Sequence, residues 1–471
     1  MFAFLGGNQE LLIEKIGIYG LFGYQNFEYN FTDKNTVFVG ENGMGKTTIL
    51  SILYHTLSLN FKDLDKYDFE KISIKYEDSD EIFIKKEDIE GLSKLYPRKA
   101  GKYSVLLGDI EEILNKISGG DFSILSEMPE IEVVRKVRNQ LIHYNVNIPL
   151  SSIRELYREY MAFNKSDGVY YDFTKTTKAR LLNTKILYFP TYRRIEEDIL
   201  NLEQGEDEIR DYYIYSEKSK IRKRPNAGEL IQFGMNDVAE TIQKLLNTIK
   251  ETSIESFNQM TGELLAQYLD NKVDSNVQNN ITKQEIKISL DRVGSKIDSE
   301  LKNRILLMFD TNQLDQYPYL KNLIYNLVSK NKNLESIDTK INNFVETCNR
   351  YLYDKKFVYN PSEVTLDIEL MRHDATIKLS DLSSGEKQLV STFSKIFLED
   401  NEKILVLFDE PELSLSIEWQ ENFIYDISKS DNCCFLVSVT HSPFIFKRSE
   451  MLESAKVMAD YITEVEVKNE D

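Results

Sequence analysis

A glycine-rich segment, FVGENGMGKTTIL at residues 38–50, constrains what this chain can fold into more than any other feature. It begins within an apolar run at 36–39, which predicts a buried parallel strand, and it ends within a helical pattern that runs from Thr48 to Leu59. In this order, the loop's N–H groups and the helix N-terminus face one anion, so the segment predicts a phosphate cradle. Its residues are Gly40, Glu41, Asn42, Gly43, Met44, Gly45, Lys46, Thr47 and Thr48.

Two side chains of this cradle have chemistry that suits a nucleoside triphosphate. The Lys46 ammonium can reach the β and γ phosphates, and the Thr47 hydroxyl can ligate Mg²⁺. ATP and Mg²⁺ are therefore the predicted substrate and cofactor. The alternative, a chance glycine turn, would leave the flanking strand and helix as coincidences.

Acids and a histidine follow two later apolar strands, ILVLFDEPE at 404–412 and CCFLVSVTHS at 433–442. Because α/β folds hold ligands at the carboxyl ends of strands, we predict that Asp409 binds Mg²⁺, directly or through water. Glu410 would then activate the attacking water, and His441 would sense the γ-phosphate. Taken alone, the carboxylate would more often be a helix cap and the histidine a structural residue.

A third polar turn, LSSGEKQ at 382–388, opens an amphipathic helix whose exposed N–H groups can bind an anion. Because the glycine loop already holds a phosphate group, we expect this turn to close on nucleotide bound by another subunit. As an isolated string it would usually be an ordinary helix cap. The predicted contact residues are Ser383, Ser384, Gly385 and Glu386.

Strand patterns at both ends of the chain, with helical patterns between them, predict one domain that carries a large insertion. Residues 1–60 and 357–471 are expected to form two lobes of a head, with a hairpin made by EVTLDIEL and ATIKL. Residues 61–184 predict a helical lobe, 185–200 a core strand returning to the head, and 201–356 a mainly helical insertion. The predicted class is α/β, a mixed sheet with helices and a large mostly α-helical insertion.

Composition excludes several classes of protein. The chain has 471 residues, of which 41% are hydrophobic, and a formal net charge of −19, which argues against a surface that coats nucleic acid. A local basic groove stays possible, although the basic run at 218–224, KSKIRKR, favours a solvated loop over a phosphate contact. No apolar run is long enough for a membrane span and no secretion signal opens the chain, so we expect a cytoplasmic protein.

The order of the glycine loop, LSSGEKQ, LVLFDEPE and THS resembles the ABC-type P-loop ATPase head of the SMC-like and RecF-like families. The resemblance covers residues 10–60 and 360–450, and it implies a homodimer through the heads, either alone or within a higher oligomer. One protomer would bind ATP and Mg²⁺ with Gly40 to Thr48, and Ser383 and Gly385 of the other would contact the γ-phosphate. It also implies that Glu410 is the general base and that His441 holds the γ-phosphate and water.

Departures from this family's pattern concern the loops that face the opposite protomer. Ser384 stands in the place of one of the signature's two glycines, and Glu386 in the place of its glutamine. The chain reads Leu415-Ser416 where such heads often carry Leu-His. The rate of hydrolysis is therefore left open, and Gln204 and Gln232 are the candidates for the Q-loop glutamine.

Two further strings, YFPTYRRIEEDIL at 188–200 and IQFGMNDVAETI at 231–242, resemble the ATPase subunit (PtuA) of Septu-type antiphage defence systems. This resemblance implies a small HNH nuclease partner (PtuB-like) and contact with DNA through that partner or a basic patch. Arg193 and Arg194 either couple the nucleotide to the inserted lobe or form salt bridges at the surface. The four histidines form no HNH or H-x-x-E-H pattern, so we expect the chain to cut nothing by itself.

Two other functions remain open from the sequence. A stand-alone SMC-like clamp or DNA-repair ATPase would show DNA-stimulated hydrolysis that falls steeply with salt. A nucleotide sensor would bind ATP with little turnover.

Overall fold

Two units make up the part of the chain that the computed structural model describes. The first unit is Met1–Gln232 with Asn401–Asp471, and the second is Phe233–Asp400. The described residues are 11–89, 113–114, 116–117, 124–125, 128–143, 149–154, 157–158, 169–191, 229–230, 235–270, 281–294, 297–373, 375–399 and 403–465. Within these ranges, no helix is both long enough and apolar enough to cross a membrane.

A six-stranded parallel sheet carries the ends of the predicted site strands. Its members are β3 (Asn35–Val39), β6 (Thr184–Phe189), β7 (Glu229–Leu230), β11 (Lys403–Asp409), β12 (Cys433–Thr440) and β13 (Ala455–Val457). The order is β13-β3-β12-β11-β6-β7, and each neighbouring pair is parallel. The inner strands are continuous apolar runs, as strands covered on both faces should be. Asp409 and Thr440 therefore come to one edge of the sheet, beside the start of the glycine loop.

An antiparallel sheet packs against this parallel sheet in the first unit. Its strands are β1 (Ile13–Leu21), β2 (Gln25–Asn30), β4 (Lys71–Tyr76), β5 (Ile82–Lys85) and β14 (Ile462–Glu464). The order is β14-β2-β1-β4-β5. Phe27 and Tyr29 of β2 lie edge-to-face on Phe38 of β3, with ring centroids 5.6 and 4.8 Å apart. These aromatic contacts connect the two sheets through one shared core.

The strands β4 and β5 correct one prediction. We expected a helical lobe over 61–184, but residues 71–85 extend the antiparallel sheet instead. Ile72, Ile74 and Tyr76 are buried at a spacing of two residues, which is the period of a strand with one buried face. Helices described in that range include α2 (Phe61–Leu64), α3 (Glu130–His143) and α4 (Val169–Arg180). Tyr76 donates to Thr177 of α4 at 3.2 Å.

Three further helices belong to the first unit: α1 (Lys46–Leu57), α11 (Ile417–Ser428) and α12 (Ser449–Leu452). The first of them starts directly at the glycine loop, two residues before the predicted start. Ile49 and Leu53 of α1 belong to the core of the sheets. Ser51 also hydrogen-bonds Tyr188 of β6 at 3.0 Å, which fixes the helix over the strands.

Helices dominate the second unit, as predicted for residues 201–356. They are α5 (Met235–Asp270), α6 (Lys283–Arg292), α7 (Ser299–Asp310), α8 (Pro318–Lys332), α9 (Glu335–Asn349) and α10 (Ser384–Phe393). Thr282 and Asp298 cap α6 and α7 by accepting from backbone N–H groups, which sets where these helices begin. Ile286 and Leu327 lie in their shared core.

A small antiparallel sheet belongs to the same unit. Its strands are β8 (Lys355–Asn360), β9 (Thr365–Leu370) and β10 (Thr376–Ile377). The pairing of β9 with β10 confirms the predicted hairpin. Because this sheet and α10 group with the helices up to Asp400, the predicted head lobe 357–471 is divided between the two units.

Candidate nucleotide-binding site

The glycine loop between β3 and α1 reverses direction at two glycines. Gly43 and Gly45 have φ values of 88° and 80°, in a region that residues with a Cβ rarely adopt. Gly45 is also the N-cap of α1, so the free N–H groups of the first helical turn lie at the loop. A Cβ on Gly45 would lie 3.2 Å from the Phe22 ring. The positive φ therefore favours glycine at this position, and the Phe22 ring leaves little room for a Cβ.

Lys46 forms the floor of the loop and is only 5% exposed. Its ammonium donates to the carbonyl oxygens of Gly40 and Glu41, each at 3.0 Å, and lies 2.6 Å from His441 Nε2. Burial lowers the pKa of Lys46, while the negative charges of three acids oppose that shift. The three acids are Glu410, Asp409 and Glu412. A cation is thus held directly under the loop that the sequence predicts to bind phosphate.

Thr47 and Asp409 provide a pair of oxygen atoms that suits a hard cation. Thr47 Oγ1 donates to Asp409 Oδ1 at 3.0 Å, and Asp409 is 1% exposed at the end of β11. Hydroxyl and carboxylate oxygens are ligands that Mg²⁺ prefers, and it commonly completes its shell with phosphate and water. This donor set therefore fits Mg²⁺ bound together with a nucleotide.

Glu410 and His441 face each other across the ends of β11 and β12. Glu410 Oε1 lies 3.3 Å from His441 Nε2, the same nitrogen that contacts Lys46. Because Nε2 can accept a hydrogen bond from Lys46 or donate one to Glu410, but not both, its proton depends on which partner it takes. Glu410 has a left-handed backbone with φ 49°. Such strain persists where the surroundings impose it, and it clusters at functional sites.

A cleft of about 620 Å³ opens beside these groups. It brings together four predicted residues, Asn42, Thr47, Glu410 and His441. Four other residues that line it were missed from the sequence: Thr191, Glu412, Leu413 and Ser442. Thr191 follows β6, whose Phe189 pairs with Phe408 of β11, so the sheet register alone places it near Glu410. The cleft is thus lined by hydroxyls, an amide, carboxylates and an imidazole, with a single apolar side chain.

The profile of a known family covers nearly all of this arrangement. That family, AAA_15, is described as an AAA ATPase domain, and its profile matches residues 12–446. The chain belongs to the AAA_15 family of ATPases. No curated protein matches its sequence.

Solved Smc head domains share low similarity with this ATPase. An Smc head bound to the C-winged helix domain of ScpA is 12% identical, with a TM-score of 0.34, and covers 97% of this chain and 98% of its own. An Smc head with an extended coiled coil, bound to the C-terminal domain of ScpA and derived from Pyrococcus furiosus, is 14% identical, with a TM-score of 0.33. That match covers 96% of this chain and 96% of the other. An Smc head with a coiled coil and joint, from Pyrococcus yayanosii, is 13% identical, with a TM-score of 0.29, and the match covers 92% of each chain.

An aromatic pair beside the glycine loop of this AAA_15 ATPase was also missed from the sequence. Phe22 and Tyr24 stack with ring centroids 6.2 Å apart and are 38% and 57% exposed. Phe22 has a left-handed φ of 55°, and its ring packs over Gly45. Exposed aromatic faces next to a phosphate loop offer a surface on which a nucleotide base can stack. The signal in the sequence was two aromatics in a turn, LFGYQ, where polar residues are usual.

The predicted serine turn lies in the second unit of the ATPase, at the start of α10. Ser383 and Ser384 are exposed there, whereas Gly385 and Glu386 are buried. Glu386 accepts from the Ser383 N–H at 2.7 Å and from Lys355 Nζ at 2.7 and 2.9 Å. Burial raises the pKa of Glu386, but the hydrogen bonds from Lys355 and Ser383 outweigh it, so the pKa lies below its ordinary value. Its carboxylate therefore stabilises the turn within its own unit.

Met44 and Thr48 of the predicted cradle are not among the described residues that line the cleft. Met44 accepts from the Glu41 N–H through its sulfur at 3.1 Å, and Thr48 is half-buried in α1. Arg193, Arg194, Gln204, Gln232 and the basic run 218–224 lie outside the described residues.

Proposed function

We propose that this chain binds ATP with Mg²⁺ and hydrolyses the bond between its β and γ phosphates. The observation that carries the proposal is the position of His441 Nε2. It lies 2.6 Å from the Lys46 ammonium and 3.3 Å from the Glu410 carboxylate. A phosphate-binding cation, a sensor and a base therefore meet at one point beside the glycine loop.

In the proposed reaction, Glu410 accepts a proton from water as the water oxygen attacks the γ-phosphorus. The electron pair of the broken bond passes to the β–γ bridging oxygen, which leaves with ADP. Lys46 exchanges its contact with His441 for the phosphates, and with the loop N–H groups it stabilises their charge. Mg²⁺ held by Thr47 and Asp409 supplies further charge neutralisation when bound.

The proposed active unit is a dimer with composite sites, in which the serine turn of one copy covers the nucleotide held by the other. Its support is that Ser383 and Ser384 are exposed at the N-terminus of α10, an end with free N–H groups. The motif order, which resembles ABC-type heads, also favours this arrangement.

Changing Ser384 to glutamate tests the composite site. Because an acid at a helix N-terminus is favourable, stability should not fall, whereas repulsion of the γ-phosphate should lower turnover by more than about tenfold. Ser384→Gln, which has the same size without the charge, is the control and should be milder. Equimolar Ser384→Glu and Lys46→Ala chains should recover about a quarter of wild-type turnover, because half of the random dimers contain one intact site. A mixture with no activity, while Ser384→Glu alone is inactive, would place both groups in the same chain.

We further infer that the ATPase regulates a small HNH nuclease acting on DNA, as in Septu-type antiphage defence. The support is the pair of strings at 188–200 and 231–242, both only partly within the described residues. The test is co-purification with the product of an adjacent HNH gene, followed by DNA cleavage assays with wild-type and Lys46→Ala ATPase. Cleavage that changes with the ATPase variant supports the inference. DNA-stimulated hydrolysis without any nuclease partner would favour a stand-alone clamp ATPase instead.

A further inference from the structure

A carboxylate that no sequence motif assigned joins the loop after β11 to the turn after β12. Glu412 Oε1 accepts hydrogen bonds from two consecutive backbone N–H groups, those of His441 at 2.8 Å and Ser442 at 3.1 Å. Hydrogen bonds to an ionised acceptor are the stronger kind. The position of the His441 backbone is therefore fixed from the segment that carries Glu410.

Side chains around Glu412 close this connection into a ring. Ser442 Oγ donates to Gln420 Oε1 of α11 at 2.6 Å. Gln420 Nε2 in turn donates to the carbonyl oxygens of Leu415 and Glu412, at 3.0 and 3.4 Å. Three of these bonds join the segment 412–420 to the turn that carries His441, and the two from Gln420 Nε2 brace that segment internally.

The second oxygen of Glu412 does not have a structural role of this kind. Oε2 is buried and has no hydrogen-bond partner among the described residues, while Glu412 lines the cleft. A buried acceptor without a partner costs about 1–3 kcal/mol, so stability alone is a poor reason for a carboxylate here. Its position at the site is the better explanation.

We propose that Glu412 is a positioning residue that holds His441 between Lys46 and Glu410. It acts through the His441 backbone, not on the reacting atoms, and this role rests on the proposed ATPase function. The His441 imidazole lies 2.6 Å from the Lys46 ammonium and 3.3 Å from the Glu410 carboxylate. Both distances depend on where the His441 backbone lies. Losing the acceptor frees the turn, and a displacement of about 1 Å can lower a reaction rate a hundredfold.

Kinetics of two substitutions test the proposal. Glu412→Ala should lower kcat by about tenfold to a hundredfold and leave the Kd for ATP within about twofold. Glu412→Gln keeps a carbonyl oxygen in the place of Oε1 and should stay within about threefold of wild type. Glu418→Ala, an exposed acid on α11, is the matched control for loss of charge. Thermal unfolding of each variant shows that it is folded.

A double-mutant cycle identifies the residue through which Glu412 acts. In a His441→Ala background, adding Glu412→Ala should reduce kcat by less than about twofold. Unchanged turnover for Glu412→Ala, equal losses for the alanine and glutamine variants, or independent effects of Glu412 and His441 would each overturn the proposal.

Amide hydrogen exchange separates this inference from the ATPase proposal. In protein without nucleotide, the segment containing His441 and Ser442 should exchange faster in Glu412→Ala than in wild type or Glu412→Gln. The His441 N–H loses its acceptor, and the Ser442 N–H loses one of two, since it also donates to Thr440 Oγ1 at 2.9 Å. This result is independent of turnover. A wild type that does not hydrolyse ATP would refute the proposed function, whereas unchanged exchange would refute the positioning role.

Discussion

Glutamine in place of Glu410 should abolish ATP turnover and leave ATP binding intact. Glutamine has the size of glutamate but cannot accept the proton of the attacking water, and loss of a general base lowers rates by about 100- to 10,000-fold. The side chain is not a predicted phosphate ligand, so the Kd for ATP should stay close to that of wild type. Single-turnover hydrolysis and equilibrium binding of ATP measure the two quantities separately.

The backbone of residue 410 makes glutamine the right substitution. Its φ of 49° disfavours either side chain equally, and its N–H donates to the Val439 carbonyl at 2.9 Å, a contact that does not involve the side chain. Glu421→Gln provides a control, because Glu421 is a carboxylate of α11 that pairs with the exposed Lys447 and is not among the residues that line the cleft. Full turnover by Glu410→Gln would exclude it as the base. Equal, negligible rates of hydrolysis in the wild type and in Glu410→Gln would instead favour a nucleotide sensor.

The parts of the site that could be predicted are those encoded by neighbours in the sequence. The glycine loop and α1 are local, because Gly43 and Gly45 supply left-handed backbone and the next residue starts a helix. Asp409 and Glu410 directly follow an apolar strand, and His441 follows another. For each of these, parallel strands that end at one edge were enough to predict proximity.

The parts that were missed depend on contacts between distant segments. Thr191 reaches the cleft only because β6 lies beside β11, which no local pattern in the sequence specifies. The role of Glu412 depends on hydrogen bonds from backbone N–H groups that are 29 and 30 residues away along the chain. The strand β4 was mistaken for part of a helical lobe, since its period of two is short and lies within a charged, mostly helical region. Tertiary packing against β1 decides that segment, not its own propensity.

The signature turn shows the same division between local and distant information. Its cap could be predicted, because a serine followed three residues later by glutamate forms a capping box. The second role of Glu386 could not, since its partner Lys355 comes from β8, 31 residues earlier. The departure from the glutamine of ABC-type signatures therefore has a physical account, in which glutamate pairs with lysine inside its own unit.

Methionine in place of Lys46 should lower the affinity for ATP by roughly a hundredfold, the equivalent of about 3 kcal/mol for a buried, charged contact to phosphate. Methionine preserves most of the apolar stem, so the packing under the loop is kept while the cation is lost. Isothermal titration calorimetry with ATP and Mg²⁺ measures the Kd, and thermal unfolding should shift little because burial already disfavours the Lys46 ammonium.

Lys66→Met is the matched control for Lys46→Met, because Lys66 is 70% exposed and pairs with Asp63 at the surface. Its affinity for ATP should equal that of wild type. The Lys46 ammonium lies in contact with Gly40, Glu41 and His441 at once, so its removal takes the positive charge from the point where loop and sensor meet. Unchanged ATP affinity in Lys46→Met would mean that nucleotide binds elsewhere. Glu410 and His441 would then act on a substrate other than ATP.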